Sequence, residues 1–202
     1  MNRFDLLVYL IGEKRKEAVS LTEKRKLVAR AKKGDAEAFQ ALIHEEKEKL
    51  YKMAYVYMRN EDDALEVFQE TLYKALASIA QLKNNDYFST WVTRILINTA
   101  VASLKKKQKL VLMSNDVLEG MGEAWHVKSE EQLDLLEAMG GIEEKYKTVL
   151  LLRFYEDYTI PQISTFLNYP EGTVKTNIRR GLALLKQKMK GVYTDDRQNS
   201  II

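Results

Sequence analysis

TIPQISTFLNYPEGTVKTNIRRGLALLKQKMK, residues 159–190, decides how this chain is read. Thr159 is a capping candidate, beside Asp157, for a short helix carrying Ile160, Ile163, Phe166 and Leu167. Asn168-Tyr169-Pro170-Glu171-Gly172 reads as a turn. A longer helix follows with Val174, Ile178, Leu182, Leu185 and Met189 at helical spacing, assigned to the core. Short helix, tight turn and basic amphipathic helix together spell a helix-turn-helix. In that motif the second helix enters the DNA major groove by its N-terminal end. Thr173 is expected to cap it, leaving free backbone N–H groups to favour a phosphate. Lys175, Thr176, Arg179 and Arg180 are left on the outward face, the residue types that contact bases and phosphates. Residues 173–190 carry six lysines and arginines and no acid, which favours DNA over a merely solvated face.

Moving toward the N-terminus, order begins near Gln132 and includes a helix with Val149, Leu150, Leu152 and Phe154. Residues 110–131 have linker composition: Gly120, Gly122, several acids and no period. Across residues 110–137 seven acids stand against Lys128 alone, so this stretch avoids an anionic polymer or contacts something else. Ahead of it lie three apolar stripes. The first holds Leu42, Ile43, Leu50, Met53, Ala54 and Tyr57. The second holds Ala64, Leu65, Phe68, Leu72, Ala75, Leu76 and Ile79; the third holds Phe88, Trp91, Val92, Ile95, Leu96 and Thr99. They predict a helical bundle. Lys24-Arg25-Lys26 through Lys33 end at Gly34-Asp35, a stop signal and a cap for the next helix. Phe4, Leu7, Val8 and Ile11 predict a short amphipathic helix. No stretch alternates as a strand, so the expectation is an all-α chain with two small helical domains joined by a flexible acidic linker.

Composition narrows the chemistry. With 202 residues, 46% hydrophobic and 30% charged, the chain is able to bury one or two small cores. It has no cysteine, which excludes disulfides, thiol nucleophiles and cysteine-bearing metal sites. His44 and His126 are its only histidines, which excludes a histidine-rich metal centre. No cofactor and no metal are expected. Leu6–Gly12 is apolar but far short of the roughly 20 residues a membrane span needs. Charged residues follow where a signal peptide would have small ones, so a cytoplasmic protein is expected.

Two N-terminal patches carry chemistry. At 62–70, DDALEVFQE places Asp62 and Asp63 at a helix start, where acids oppose the dipole. Glu66, Gln69, Glu70 and Tyr73 share one side of that helix. No histidine joins them and the chain has no glycine-rich phosphate loop, so a protein-docking face is the better reading than an acid–base or metal site. The loop Asn84-Asn85-Asp86-Tyr87-Phe88, followed by Trp91 and Arg94, offers amides, aromatics and a cation that suit unstacked bases. Lys105 and Lys106 begin a lysine cluster suited to phosphates.

DDALEVFQE at 62–70, FSTWVTRILINTA at 88–100 and PEGTVKTNIRR at 170–180 together resemble the extracytoplasmic-function sigma factors of bacterial RNA polymerase, over about residues 28–190. The resemblance implies an alternative sigma factor without catalysis of its own. Its first domain (28–109) would bind core polymerase and melt the −10 element, and its second (132–190) would read the −35 element. Residues 110–131 would be the linker threaded toward the RNA path, with an N-terminal extension (1–27) and a C-terminal tail (191–202). Carried over by position, Asp63, Glu66, Gln69, Glu70 and Tyr73 match the face that docks on the polymerase β′ subunit. Asn84 to Phe88 match a pocket for a flipped −10 base, with Trp91, Thr93, Arg94, Ile97, Asn98, Lys105 and Lys106 adjoining it. Thr173, Lys175, Thr176, Arg179 and Arg180 match the −35 readers. The implied partners are core polymerase (β and β′), promoter DNA and an anti-sigma factor, commonly membrane-bound, with a stress response as the usual setting and no small-molecule substrate.

Departures from the family pattern are Ala102 for its usual Asp, Gly141-Ile142 for Leu-Pro, and Ser164 and Gly181 for alanines. Gly181 within a helix is expected to cost near 1 kcal/mol against alanine. The rival readings are a free-standing helix-turn-helix regulator, for which no dimerisation seam is visible, and a metal-dependent phosphohydrolase built on the acidic helix.

Overall fold

The structure is a computed structural model that describes residues 20–113, Leu135 and residues 138–198. Every regular element among these residues is helical, as the period of the apolar positions requires. The first-dozen helix and residues 114–131 of the linker lie outside the described residues. The chain divides into two units near residue 124.

The first unit holds α1 (Leu21–Ala31), α2 (Ala36–Met58), α3 (Glu61–Ser78) and α4 (Phe88–Met113). Each start follows from its cap. Ser20 accepts from the Glu23 N–H at 3.2 Å, Asp35 from Ala38 at 3.0 Å and Asn60 from Asp63 at 3.0 Å. Gly34, at φ 91°, turns the chain between α1 and α2 at no steric cost. Arg59 ends α2 in a left-handed conformation, φ 57°. α2 packs against α1, α3 and α4, and α3 against α4. Leu42, Leu50, Met53, Tyr57, Val67, Phe88, Val92 and Leu96 form the core. Residues 21–27 of the expected N-terminal extension are helical and continue into Val28 and Ala31 of α1, which are buried in this bundle. The last helix runs past the lysine cluster to Met113, four residues beyond the expected boundary at 109.

The second unit contains buried Leu135, Ala138 and Met139, then α5 (Glu144–Leu150), a π-helical turn at Leu151–Tyr155, α6 (Ile160–Leu167) and α7 (Glu171–Gln198). The π turn closes with the Glu156 N–H donating to the Leu151 carbonyl at 3.1 Å. Thr159 and Gln162 form a reciprocal capping box on α6, with Pro161 in the first turn where its missing N–H costs nothing. Asn168 ends α6 at φ 55°. α7 begins earlier than expected, since the Pro170 carbonyl accepts from Thr173 and Val174 at 2.9 and 3.1 Å. Thr173 is therefore the third residue of the helix and does not cap it.

The buried side of α7 also differs from the predicted stripe. Val174, Asn177, Gly181 and Leu185 face inward, while Ile178 and Leu182 are half-buried. A methyl group on Gly181 would stand 3.1 Å from Leu150 Cδ1 and 3.2 Å from Tyr146 Cβ. The glycine expected to be a weakness is what allows α7 to lie this close to α5. Among the described residues no helix is long and apolar enough to cross a membrane.

Candidate docking and nucleic-acid surfaces

α3 presents its predicted acids and more. Glu66, Gln69, Glu70 and Tyr73 are exposed, Tyr73 at 74%. Asp63 is half-buried and ion-paired to Lys107, and Glu70 pairs with Lys74 at 2.7 Å. The side facing the core consists of small residues, Ala64, Val67, Thr71 and Ala75. Thr71 satisfies its hydroxyl on the Val67 carbonyl at 2.7 Å. That leaves Leu65 (45% exposed) and Leu76 (54%) on the surface with Gln69 and Tyr73, although the apolar stripe predicted both leucines in the core. A helix with two apolar rows has more than one core needs, and that surplus was the signal available in the sequence. The outcome is an acidic face with apolar side chains set into it.

The second surface is the loop between α3 and α4. Asn84 caps a short 3₁₀ turn (Asn85–Tyr87) by accepting from the Asp86 N–H at 3.0 Å. Asn84, Asp86 and Tyr87 are exposed and Asn85 is half-buried. On α4, Arg94, Asn98, Lys105 and Lys106 are exposed along one side, with Ala102 between them. Three expected contact residues are not available as placed. Phe88 and Thr93 are fully buried and Ile97 nearly so, because α4 turns Phe88, Val92, Thr93, Leu96 and Ile97 into the bundle. Trp91 is half-buried, its ring 5.9 Å from Phe88. These residues support the surface from beneath.

The loop also has partners that no sequence signal announced. Arg25 of α1 holds Asp86 through two hydrogen bonds, Nη2 donating to Oδ2 at 2.7 Å and Nε to Oδ1. The Arg25 hydrogen bond is the main reason the Asp86 carboxyl lies below its ordinary range. Lys32 donates to the Leu82 carbonyl at 2.7 Å and to Asn85 Oδ1 at 3.3 Å. Beneath them Lys24 donates to Glu46 at 2.6 Å and to Ser89 at 2.9 Å, while Lys49 pairs with Glu46 at 2.8 Å. Burial, the strongest influence on Glu46, pushes its carboxyl up. Lys49 and Lys24 together outweigh it and hold the pKa at about 2.

The third surface is the start of α7. Thr173, Lys175, Arg179 and Arg180 are exposed and Thr176 is half-buried. Glu171 stands 3.9 Å from Lys175, a loose exposed pair that leaves the cation available.

The comparisons with known proteins fit this layout. The family description Sigma-70 region 2 matches residues 42–110, and Sigma-70, region 4 matches residues 132–185. RNA polymerase sigma factor SigV of Bacillus subtilis (strain 168) is 34% identical over 146 residues, covering 71% of this chain and 86% of that protein. ECF RNA polymerase sigma factor SigW of the same organism is 29% identical over 180 residues, covering 82% and 96%. Among solved structures, the sigma factor RpoE of Bartonella quintana, in complex with the anti-sigma factor NepR, shares the fold. Its TM-score is 0.65 at 19% identity, over 75% of this chain and 96% of that one.

Proposed function

The chain belongs to the extracytoplasmic-function sigma factors of the sigma-70 family, and on that premise we propose how its surfaces divide the work. It is an alternative sigma factor that directs RNA polymerase to promoters. The α3 face takes up core polymerase through Glu66, Gln69, Glu70 and Tyr73, with Leu65 and Leu76 supplying apolar contact. Asp63, half-buried and neutralised by its pair with Lys107, adds little net charge to that face. The loop 84–87 captures an unstacked −10 base, and Arg94, Asn98, Lys105 and Lys106 follow the single strand along α4. Lys175, Thr176, Arg179 and Arg180 read the −35 element, with Thr173 beside the phosphates. The chain carries out no catalysis itself and works in the cytoplasm. An anti-sigma factor holds it inactive, a partner supported by the complex of the similar RpoE with the anti-sigma factor NepR.

One observation carries this reading above a free-standing regulator: the exposed acidic and apolar face of α3, for which a repressor would have no use. Each unit alone reads a short element, so tight promoter binding requires both on one polymerase. The test is transcription from a candidate promoter by purified core polymerase with and without this chain. Promoter-specific transcripts only in its presence are expected. Tight, palindrome-specific DNA binding without polymerase would overturn the reading.

A further inference from the structure

α1 lies ahead of the residues matched to Sigma-70 region 2, yet three of its side chains reach the loop or its flanks. Arg25 grips Asp86 with both arms of its guanidinium. Asn85 Nδ2 donates back to the Arg25 carbonyl at 3.3 Å, so Arg25 engages the loop through both its side chain and its backbone. Lys32 holds the carbonyl of Leu82, where the chain leaves the turn after α3. Lys24 ties Ser89, in the first turn of α4, to buried Glu46 of α2. The loop is thus fastened at its entry, at its middle and at its exit.

We infer that α1 is a positioning clamp for the −10 loop, with Arg25 as its principal residue acting through Asp86. This rests on the assignment of the loop to the −10 element. A carboxylate on a surface meant for DNA repels phosphate, and Arg25 neutralises it in place. The amide of Asn84 and the ring of Tyr87 are then held in one geometry before a base arrives, so less ordering remains for the moment of capture. An exposed ion pair contributes little to overall stability. The clamp's effect therefore falls on the loop and on strand opening, not on the melting of the bundle.

The test uses the full chain with core polymerase, in the variants Arg25→Ala, Asp86→Ala, the two combined, and the exchange Arg25→Asp with Asp86→Arg. Each is measured for thermal unfolding, polymerase binding, permanganate-detected strand opening and the salt dependence of opening. Expected are unchanged unfolding and polymerase binding, with opening slowed about fivefold in Arg25→Ala. The combined variant should be no slower than Arg25→Ala, and the exchange should recover opening to within about twofold. Lys32→Met, which frees the Leu82 carbonyl, should slow opening independently. Additive losses with a shallower salt slope would make Arg25 a phosphate contact and overturn the clamp. Equal losses of unfolding temperature and opening would reduce it to a structural contact and overturn it too. Asn84→Ala and Tyr87→Ala separate the two claims. If they impair opening while Arg25→Ala does not, the clamp alone falls; if they are also silent, the loop assignment falls with it.

Discussion

The two units fix their binding elements by opposite means. In the first, ion pairs and hydrogen bonds from α1 hold the loop between α3 and α4 across 50 to 61 residues of sequence. In the second, backbone caps and close steric packing hold the helix-turn-helix, with Gly181 against Leu150 and Tyr146 and the Thr159–Gln162 box at the start of α6. A polar device is soft to charge and pH, and a packed device is soft to volume. Each unit should therefore fail under a different kind of change.

The largest expected effect is on partner binding. Glu66→Lys with Glu70→Lys should abolish association with core polymerase in a pull-down. Both groups are exposed, so stability should change by about 0.5 kcal/mol or less. Undiminished binding by the folded variant would remove the docking assignment and, with it, the functional contrast between the units.

Next is the acid response of the first unit. Glu46 sits at about 2 in the folded chain against an ordinary 4.5. A carboxyl depressed by folding stabilises fully above its unfolded pKa and loses that contribution as pH falls through the folded value. The first unit should therefore lose about 3 kcal/mol between pH 5 and pH 2 from this group. Glu46→Gln should flatten that slope in urea unfolding followed at several pH values. An unchanged slope would show that the Lys24 and Lys49 pairs are not what stabilises the clamp's base.

Gly181→Leu addresses the other unit. Overfilling the gap beside Leu150 and Tyr146 should cost about 1–3 kcal/mol and lower the unfolding transition of the second unit only. Gly181→Ala calibrates it, since about 1 kcal/mol of helix propensity is set against a neighbour that must yield by a few tenths of an ångström. A stabilised leucine variant would refute the packed side of the comparison.

The smallest effects lie in base choice. Lys175→Ala, Arg179→Ala and Arg180→Ala are read on promoters with single −35 substitutions. Removing a base-reading side chain at Lys175 or Arg180 should change the rank order of promoters, by about 1–3 kcal/mol for a bidentate pair. Arg179→Ala should weaken all promoters alike and lower the salt slope. If none of the three alters the rank order, α7 holds phosphates only.

Much of this was local and therefore legible. Asp35 and Thr159 cap helices within three residues of themselves, and Gly34 and Asn168 end them, so the residues alone determine where α2 and α6 begin and where α1 and α6 stop. The acids of α3 and the cations of α7 were readable as exposed because charge is costly to bury. Thr173 misled because the helix already starts at Glu171, with Thr173 and Val174 donating to the Pro170 carbonyl, so the threonine stands inside the first turn. What tertiary structure alone decided is which apolar row turns inward. α3 carries large leucines beside small residues, and closeness to α2 and α4 selected Ala64, Val67, Thr71 and Ala75; α7 likewise turned Asn177 and Gly181 in ahead of Ile178 and Leu182. A helical period shows that a face will be buried, but the volume across the interface sets its phase. Periodicity is likewise blind to Arg25 meeting Asp86, a pair brought together only when α1 packs on the bundle.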